Sequence, residues 1–388
     1  MTTVEPVKVA AAPGPVIPGL KVALVHDWIT GMRGGERVLE ALCRMFPDAL
    51  VYTLIHVPGR ASATIERHTI RTSVLQHVPQ VDRYYRHLLP LYPAALAALR
   101  LNPADLVISS SHCVVKSVQT PRGARHLCYC HTPVRYAYDQ FEAYFGPQRL
   151  GRVGAAVMRP TMAAFAAWDR ATSGRPDRYL ANSQHVARRI AAHYNRSAAV
   201  VHPPVDTVYH TPDPEARRQG ALVVSALVPY KRVDVAIRAC QLVGMPLTIV
   251  GQGPEERVLR AMAGADVEFV GAVTDEAVRQ YYRSASMVLM PGEEDFGIVP
   301  VEAHACGTPV VALGRGGVME TVIDGETGVL TGEGPDALAA GIRQAAAMSW
   351  SVTRCREQAE RFSAERFVTN MTEAVKDLMG AAPTDVRW

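Results

Sequence analysis

Short apolar runs that end in polar, Gly-rich turns and give way to helical spacing recur along the whole chain. "LKVALVHDW" stops at "TGMRGGE", and "ERVLEALCRMF" then carries apolar residues at three- and four-residue intervals, so strand, loop and helix succeed one another. "ALVYTLI", "DLVISSS", "RHLCYCH" and "RYLANS" repeat the strand signal, separated by Ala-, Leu- and Arg-rich helical segments. A second series, "ALVVSAL", "PLTIVG", "VEFVG", "MVLMPG", "TPVVAL" and "GVLT", alternates with helices such as "RVDVAIRACQLV". Near-continuous apolar strands alternating with helices predict an α/β protein built on parallel sheets.

The stretch "VVHPPVDTVYHTPDPEARRQG" interrupts both series with prolines and turn formers, as a linker between domains requires. The expected organisation is a flexible lead at 1–18, a first Rossmann-like domain at 19–203, a linker at 204–219, a second at 220–365 and a closing helix at 366–388. A length of 388 residues fits two doubly wound halves better than one core.

Composition narrows the class. The net charge of +4 is small for this length, which argues against nucleic acid as the main partner. The charge is uneven, however: residues 61–160 hold 12 Lys and Arg against 5 Asp and Glu. The 7 cysteines follow no disulfide framework, so a reducing, cytoplasmic setting fits best. Cys128 and Cys130 beside His131 lack a second ligand pair at zinc spacing and read as buried strand thiols; no metal site is expected. The Pro- and Gly-broken N-terminus does not read as a signal peptide, and no apolar run has the length of a membrane span.

Chemistry in open parallel sheets sits beyond the carboxyl ends of the strands. "PGEEDFGIVPVEAHACGTPVVA" is such a place: strand, acidic loop, a helix beginning near Ile298 with Pro300 in its first turn, then Gly307 and Pro309 to end it. Amides of Phe296, Gly297 and Ile298 at the positive end of that helix would suit phosphate or sugar hydroxyls. Glu294 precedes the helix and Glu302 lies one turn inside it, so the two carboxylates suit two parts of an elongated, diol-bearing ligand. Read singly, each acid is equally an ordinary stabiliser of the helix dipole. Lys231, by the same measure, is either a solvated surface lysine or a cation for a phosphate, and His131 either a structural strand-end residue or part of a site.

The E-x7-E spacing of Glu294 and Glu302 with "DFGIVPV" between, together with "RGGE", "CHTP", "LVPYKRVD", "IVGQGPE", "VEFVGAV" and "GGVMETVIDGETGVL", resembles the retaining glycosyltransferases of family 4. Among bacterial members the likeness is to WbaZ-like enzymes of surface-polysaccharide assembly. The resemblance implies the GT-B fold, two Rossmann-like domains facing each other across a cleft, and transfer of a hexose from a nucleotide-sugar donor. It implies that Glu294 meets hydroxyls of the transferred sugar, Glu302 the ribose, and the amides of Phe296 to Ile298 the sugar and diphosphate. Lys231 then meets the diphosphate, Gly34 and Gly35 admit the phosphates to the backbone, His131 faces the sugar, and backbone at Gly271 to Val273 reads the base. His131, Glu294 and Lys231 form the implied catalytic set, without metal or other cofactor. Where relatives carry an arginine in "GRL", this chain has Ser225 and Ala226 in "SAL", which leaves either Arg232 or Lys231 and amides alone to hold the diphosphate.

GDP-mannose is the first expectation for the donor and UDP-glucose the second, both by family association. The acceptor, a glycan or a polyprenyl-diphosphate-linked glycan, is expected on the first domain, where the positive excess lies. Arg83, Arg86, Arg149, Arg152 and Arg159, interleaved with apolar residues, suit either an anionic membrane on the inner face of the plasma membrane or ordinary solvated helices. Two rivals stand: a GT-B nucleotide-sugar 2-epimerase and a non-catalytic nucleotide-sugar binding protein. A nicotinamide dehydrogenase is disfavoured by the missing dinucleotide fingerprint, and a kinase by the missing H-R-D loop.

Overall fold

The computed structural model describes residues 17–380. The lead expected at 1–18 falls almost wholly outside these residues, as does the tail of the closing helix beyond 380. The chain divides into two compact units, one formed by 205–364 and the other by the described residues up to 204 together with those from 365 onward.

Among the described residues, the N-terminal unit holds β1 (Val22–Ile29), β2 (Leu50–His56), β3 (Ile70–Thr72), β4 (Leu106–Ser111), β5 (Arg125–Cys130), β6 (Arg178–Ala181) and β7 (Ala198–Val200). They form one parallel sheet in the order β3-β2-β1-β4-β5-β6-β7. The C-terminal unit holds β8 (Ala221–Val224), β9 (Leu247–Val250), β10 (Val267–Gly271), β11 (Met287–Met290), β12 (Val310–Leu313) and β13 (Gly328–Thr331), parallel in the order β10-β9-β8-β11-β12-β13. Both sheets are therefore doubly wound, as the alternating pattern predicts.

The edge strands β3 and β7 do not stand out in the sequence. Each is three residues long and partly exposed, too short and too wet to leave an apolar run.

The interior strands are largely apolar because both faces of each sheet are covered, with polar residues such as His26 and Asp27 of β1 and Ser109, Ser110 and Ser111 of β4 as the buried exceptions. Ala23 and Val25 of β1 point into one core with Tyr52, Leu54 and Val107, while Leu24 points into the other with Val51, Leu106 and Ile108. This second core is completed by the helix Ala364–Gly380, whose Phe367, Met371, Val375 and Leu378 recur at helical spacing and are buried. The last helix thus belongs to the N-terminal unit in packing, although it comes after the C-terminal one in sequence.

One ion pair is fully inside the N-terminal unit. Lys116 Nζ lies 2.6 Å from Asp169 Oδ1, and the tyrosine hydroxyls of Tyr138 and Tyr194 donate to Asp169 Oδ2 at 2.8 and 2.9 Å. With Tyr138 and Tyr194 satisfying the second carboxylate oxygen, the pair ties the end of the helix Pro147–Ala171 to the turn Val115–Ser117 that follows β4 at limited desolvation cost. All 7 cysteines are free and buried, Cys128 and Cys130 among them as thiols of β5.

Phe367→Ala should destabilise the N-terminal unit by about 3–5 kcal/mol, the usual cost of deleting a core phenylalanine. Urea unfolding followed by tryptophan fluorescence tests this, and an unchanged midpoint would show that the helix Ala364–Gly380 does not contribute to that core.

Candidate functional site

The N-terminal unit gathers its polar residues where β1, β4 and β5 end. His26 pairs in register with Ser110, and Ser110 with Tyr129, so the strand ends bring His26, Ser110 and His131 side by side. The fully buried Asp27 organises the loop after β4. Its Oδ2 accepts from the amides of His112 and Cys113 at 2.7 and 2.8 Å, and its Oδ1 from those of Val114 and Val115 at 2.7 and 3.1 Å. Burial pushes the Asp27 carboxyl up, whereas four amide donors occupying both oxygens hold it as the anion. We regard the donors as decisive, since a proton on either oxygen would displace one of them.

Three imidazoles meet above this carboxylate. The His26 ring lies 5.6 Å from His112 and 6.5 Å from His131, and His112 lies 6.2 Å from His131. Burial lowers all three to about 3, with a neighbouring imidazole contributing for His26 and His131 and Arg33 for His112. The helix Gly34–Met45 starts against this group: a Cβ on Gly35 would sit 3.4 Å from His26 Cε1 and 3.8 Å from His131 Nε2. Gly34 is the first residue of the same helix. In its first turn Glu36 accepts from the Arg33 amide, in the manner of a capping box, and burial raises its carboxyl to about 7.

The C-terminal unit builds its site from loops that touch through backbone. A Cβ on Gly292 would lie 2.5 Å from the Tyr230 carbonyl oxygen and 2.9 Å from Lys231 Cα, so only glycine lets the loop after β11 press on the loop after β8. Gly317 meets Phe296 Cα at 2.3 Å by the same measure, and its amide donates to the Glu294 carbonyl at 2.7 Å. Gly251 and Gly253 of "GQG" face the carbonyls of Ser225 and Leu227 just as closely, which fixes the "SAL" stretch.

On this platform Lys231 Nζ donates to Glu294 Oε1, and both side chains are mostly buried. Arg232, in a left-handed conformation, turns to Asp234, with Nε 3.2 Å from Oδ1. Glu302 accepts from the Tyr282 hydroxyl at 2.8 Å and lies 3.8 Å from His210 Nε2. The helix begins at Ile298 with Gly297 at φ 92° before it, while the Phe296 ring is buried against Phe362, leaving Phe296 its backbone to offer. Gly271 ends β10 at φ 81°, and Val273 packs beside the core cluster of Leu222 and Met290.

The structure thus unites Lys231 with Glu294 in one unit and Gly35 with His131 in the other. It directs Glu302 and Arg232 to partners of their own. Sequence reasoning passed over His26, Asp27, Ser110 and His112. Their signal was present: "HD" and "SSSH" place polar residues at the carboxyl ends of otherwise apolar runs, where a buried polar group needs a reason.

Two parallel, doubly wound sheets, each with polar residues gathered at its carboxyl end, match the GT-B architecture of glycosyltransferases, and the comparisons agree. Residues 32–209 match the model of Glycosyltransferase Family 4, and residues 214–362 that of Glycosyl transferases group 1. The chain belongs to family 4 of the glycosyltransferases.

It is 35% identical over 205 residues to a GDP-mannose-dependent alpha-(1-6)-phosphatidylinositol monomannoside mannosyltransferase of Mycolicibacterium smegmatis, covering 43% of this chain and 54% of that protein. It is 31% identical over 255 residues to a D-inositol 3-phosphate glycosyltransferase of Mycobacteroides abscessus, covering 55% of each. The chain spans about half the length of these curated relatives. In fold it is similar to the sucrose-phosphate synthase of Thermosynechococcus elongatus (TM-score 0.70, 19% identity, 93% of this chain and 100% of that one). Anabaena HepE, solved with UDP-glucose, gives a TM-score of 0.66 at 19% identity, covering 92% and 99%.

Stability should fall on acidification. The unfolded chain takes up protons on histidine through pH 6.5, whereas His26, His112 and His131, and with them His126, buried in β5 with its Nε2 2.8 Å from Ser109 Oγ, resist until about 3 in the folded state. Stability is therefore complete above pH 7 and is lost progressively below 6.5. Glu36, raised to about 7, works in the opposite direction, but it is one group against four. Thermal melts at pH 7.5 and pH 5 should show the lower midpoint at pH 5; equal midpoints would contradict the neutral imidazoles.

Proposed function

We propose that this chain is a retaining glycosyltransferase that moves a hexose, mannose from GDP-mannose in the first instance, to a glycan or lipid-linked glycan in surface-polysaccharide biosynthesis. The observation that carries the reading is the Lys231 and Glu294 pair on a glycine-built backbone platform beyond β8 and β11. A cation and a carboxylate that neutralise each other without ligand are the two groups a sugar diphosphate needs: the ammonium for the phosphates, the carboxylate for sugar hydroxyls.

In this reading Lys231 and the amides of Phe296 to Ile298 stabilise the negative charge that develops on the departing diphosphate. Glu302, held by Tyr282, takes the ribose hydroxyls. The engagement of Arg232 with Asp234 favours Lys231 and amides alone over Arg232 as the substitute for the arginine absent at Ser225 and Ala226. Gly34 and Gly35 leave the first helical turn open to phosphate, and Gly271 to Val273 offer backbone to the base. His131 faces the transferred sugar. Retention results from front-face substitution, in which the departing diphosphate helps to take the acceptor's proton, and no metal enters.

The name of the M. smegmatis relative supports GDP-mannose, and HepE with UDP-glucose supports a nucleotide sugar generally. An epimerase would consume donor without acceptor, and a binding protein would hold it without turnover; product analysis with and without acceptor separates all three.

The acceptor side is read as peripheral to an anionic membrane at the cytoplasmic face. On the helical part of Pro147–Ala171 that follows the break at Gly151 (φ 70°), Val153 is 79% and Val157 61% exposed and Arg152 and Arg159 flank them, with Arg149 and the exposed Leu150 just before the break. None of the described helices is long and apolar enough to cross a membrane.

GDP-mannose should raise the melting temperature more than UDP- or ADP-sugars. Glu302→Ala should weaken that binding about 10- to 100-fold, the cost of losing hydrogen bonds to a charged group, while Lys231→Ala should lower kcat by roughly 10²–10³. Undiminished nucleotide affinity in Glu302→Ala would remove its ribose role. Vesicles containing anionic lipid should retain the parent chain and release Val153→Glu/Val157→Glu; equal sedimentation of the two would exclude this helix as the membrane contact.

A further inference from the structure

The Ser110 hydroxyl stands between two imidazole nitrogens. Its Oγ is 3.1 Å from His26 Nδ1 and 2.8 Å from His131 Nε2, and Ser110 and His26 are both fully buried. A hydroxyl has one proton, so it donates to one ring and must accept from the other. Neutral rings leave two arrangements. In one, His26 donates from Nδ1, Ser110 donates to His131 Nε2, and His131 carries its own proton on Nδ1. In the other, every bond is reversed: His131 is protonated on Nε2, and His26 on its far nitrogen.

Two observations choose between them. The far nitrogen, His26 Nε2, is buried without a partner among the described residues. The reversed arrangement would leave an orphaned N–H there, the rarer kind of unpaired buried group. The two distances agree, because O–H donors make shorter bonds than N–H donors: the 2.8 Å leg is then Ser110 donating to His131, and the 3.1 Å leg His26 donating to Ser110. The His131 ring is further fixed by an edge contact with Tyr129 at 5.1 Å between centroids, and its backbone by Asn182, whose side-chain amide donates to the His131 carbonyl at 2.9 Å.

We propose that Ser110, backed by His26, is a positioning residue that holds His131 in the tautomer protonated on Nδ1, so that His131 meets its ligand as a hydrogen-bond donor and not as a proton acceptor. The tautomer stands on the geometry alone; the ligand, an oxygen of a sugar or diphosphate, rests on the proposed transferase reading. A donor here suits hydroxyl or phosphate oxygens and leaves the acceptor's proton to another group, consistent with front-face substitution.

The test is long-range ¹H–¹⁵N correlation of the full chain labelled with ¹⁵N-histidine at pH 7.5, with His131 assigned by its loss in His131→Gln. The expected spectrum has His131 protonated on Nδ1 and bare on Nε2; the opposite tautomer in the parent chain overturns the proposal without recourse to any variant. Ser110→Ala should shift a measurable share of His131 to the Nε2 tautomer, and Ser110→Thr should keep the parent pattern; an unchanged tautomer in a folded Ser110→Ala overturns it equally. With a nucleotide-sugar donor and acceptor, Ser110→Ala should lower kcat roughly tenfold, less than removal of an oriented donor outright, with KM for the donor within about twofold. If no nucleotide sugar binds or turns over, the transferase reading fails while the tautomer result stands; if the tautomer is reversed and turnover is normal, only the positioning role of Ser110 fails.

Discussion

The Asp27 carboxylate is the interaction on which the N-terminal site depends. A buried anion is tolerable only when its oxygens are filled, and here four consecutive amides, His112 to Val115, fill them. The same bonds that neutralise the carboxylate bend the chain after β4 into a tight loop around it. His112 is thereby turned back over β1, and Ser110 is left as the last but one residue of β4, between His26 and His131. Without a carboxylate at 27 the loop would have four amides to satisfy elsewhere, and the three imidazoles would lose their common support.

The C-terminal unit reaches a comparable result with almost no side chains. Gly251, Gly253, Gly292, Gly316 and Gly317 each lie where a Cβ would strike a neighbouring loop's backbone, so four loops from β8, β9, β11 and β12 close on one another. The backbone so fixed carries Lys231 and Glu294 into contact. An exposed lysine and glutamate would gain little from pairing, but two mostly buried groups must stay paired or be exchanged for an equally charged and hydroxylated ligand. That requirement links the packing of glycines to the chemistry proposed for the site.

The two units use their polar groups in different ways. In the C-terminal unit the charges are retained and paired, suited to a ligand that carries charge. In the N-terminal unit burial keeps the imidazoles neutral, so hydrogen-bond direction rather than charge is what His131 can offer.

Much of this was legible in the sequence, for a physical reason. Eleven of the strands announce themselves because strands of a parallel sheet covered on both faces are largely apolar, and the helix start at Ile298 comes from Pro300 and Gly297, whose backbone preferences are local. The glycines of "GQG" and "PGEE" were visible as glycines, but which backbone each one admits, that of Ser225, Leu227 or Tyr230, belongs to a distant loop and cannot be read from neighbours in the chain; Gly35 of "RGG" likewise meets the His131 side chain from a separate segment. Tertiary structure alone decided that Lys231 meets Glu294 and that the helix Ala364–Gly380 packs on the N-terminal core. It also decided the alignment of His26, Ser110 and His131, because strand register brings together residues from three separate segments. Local preference and apolar periodicity are written in the order of residues; close approach, pairing and hydrogen-bond direction arise only when distant segments are brought to the same place.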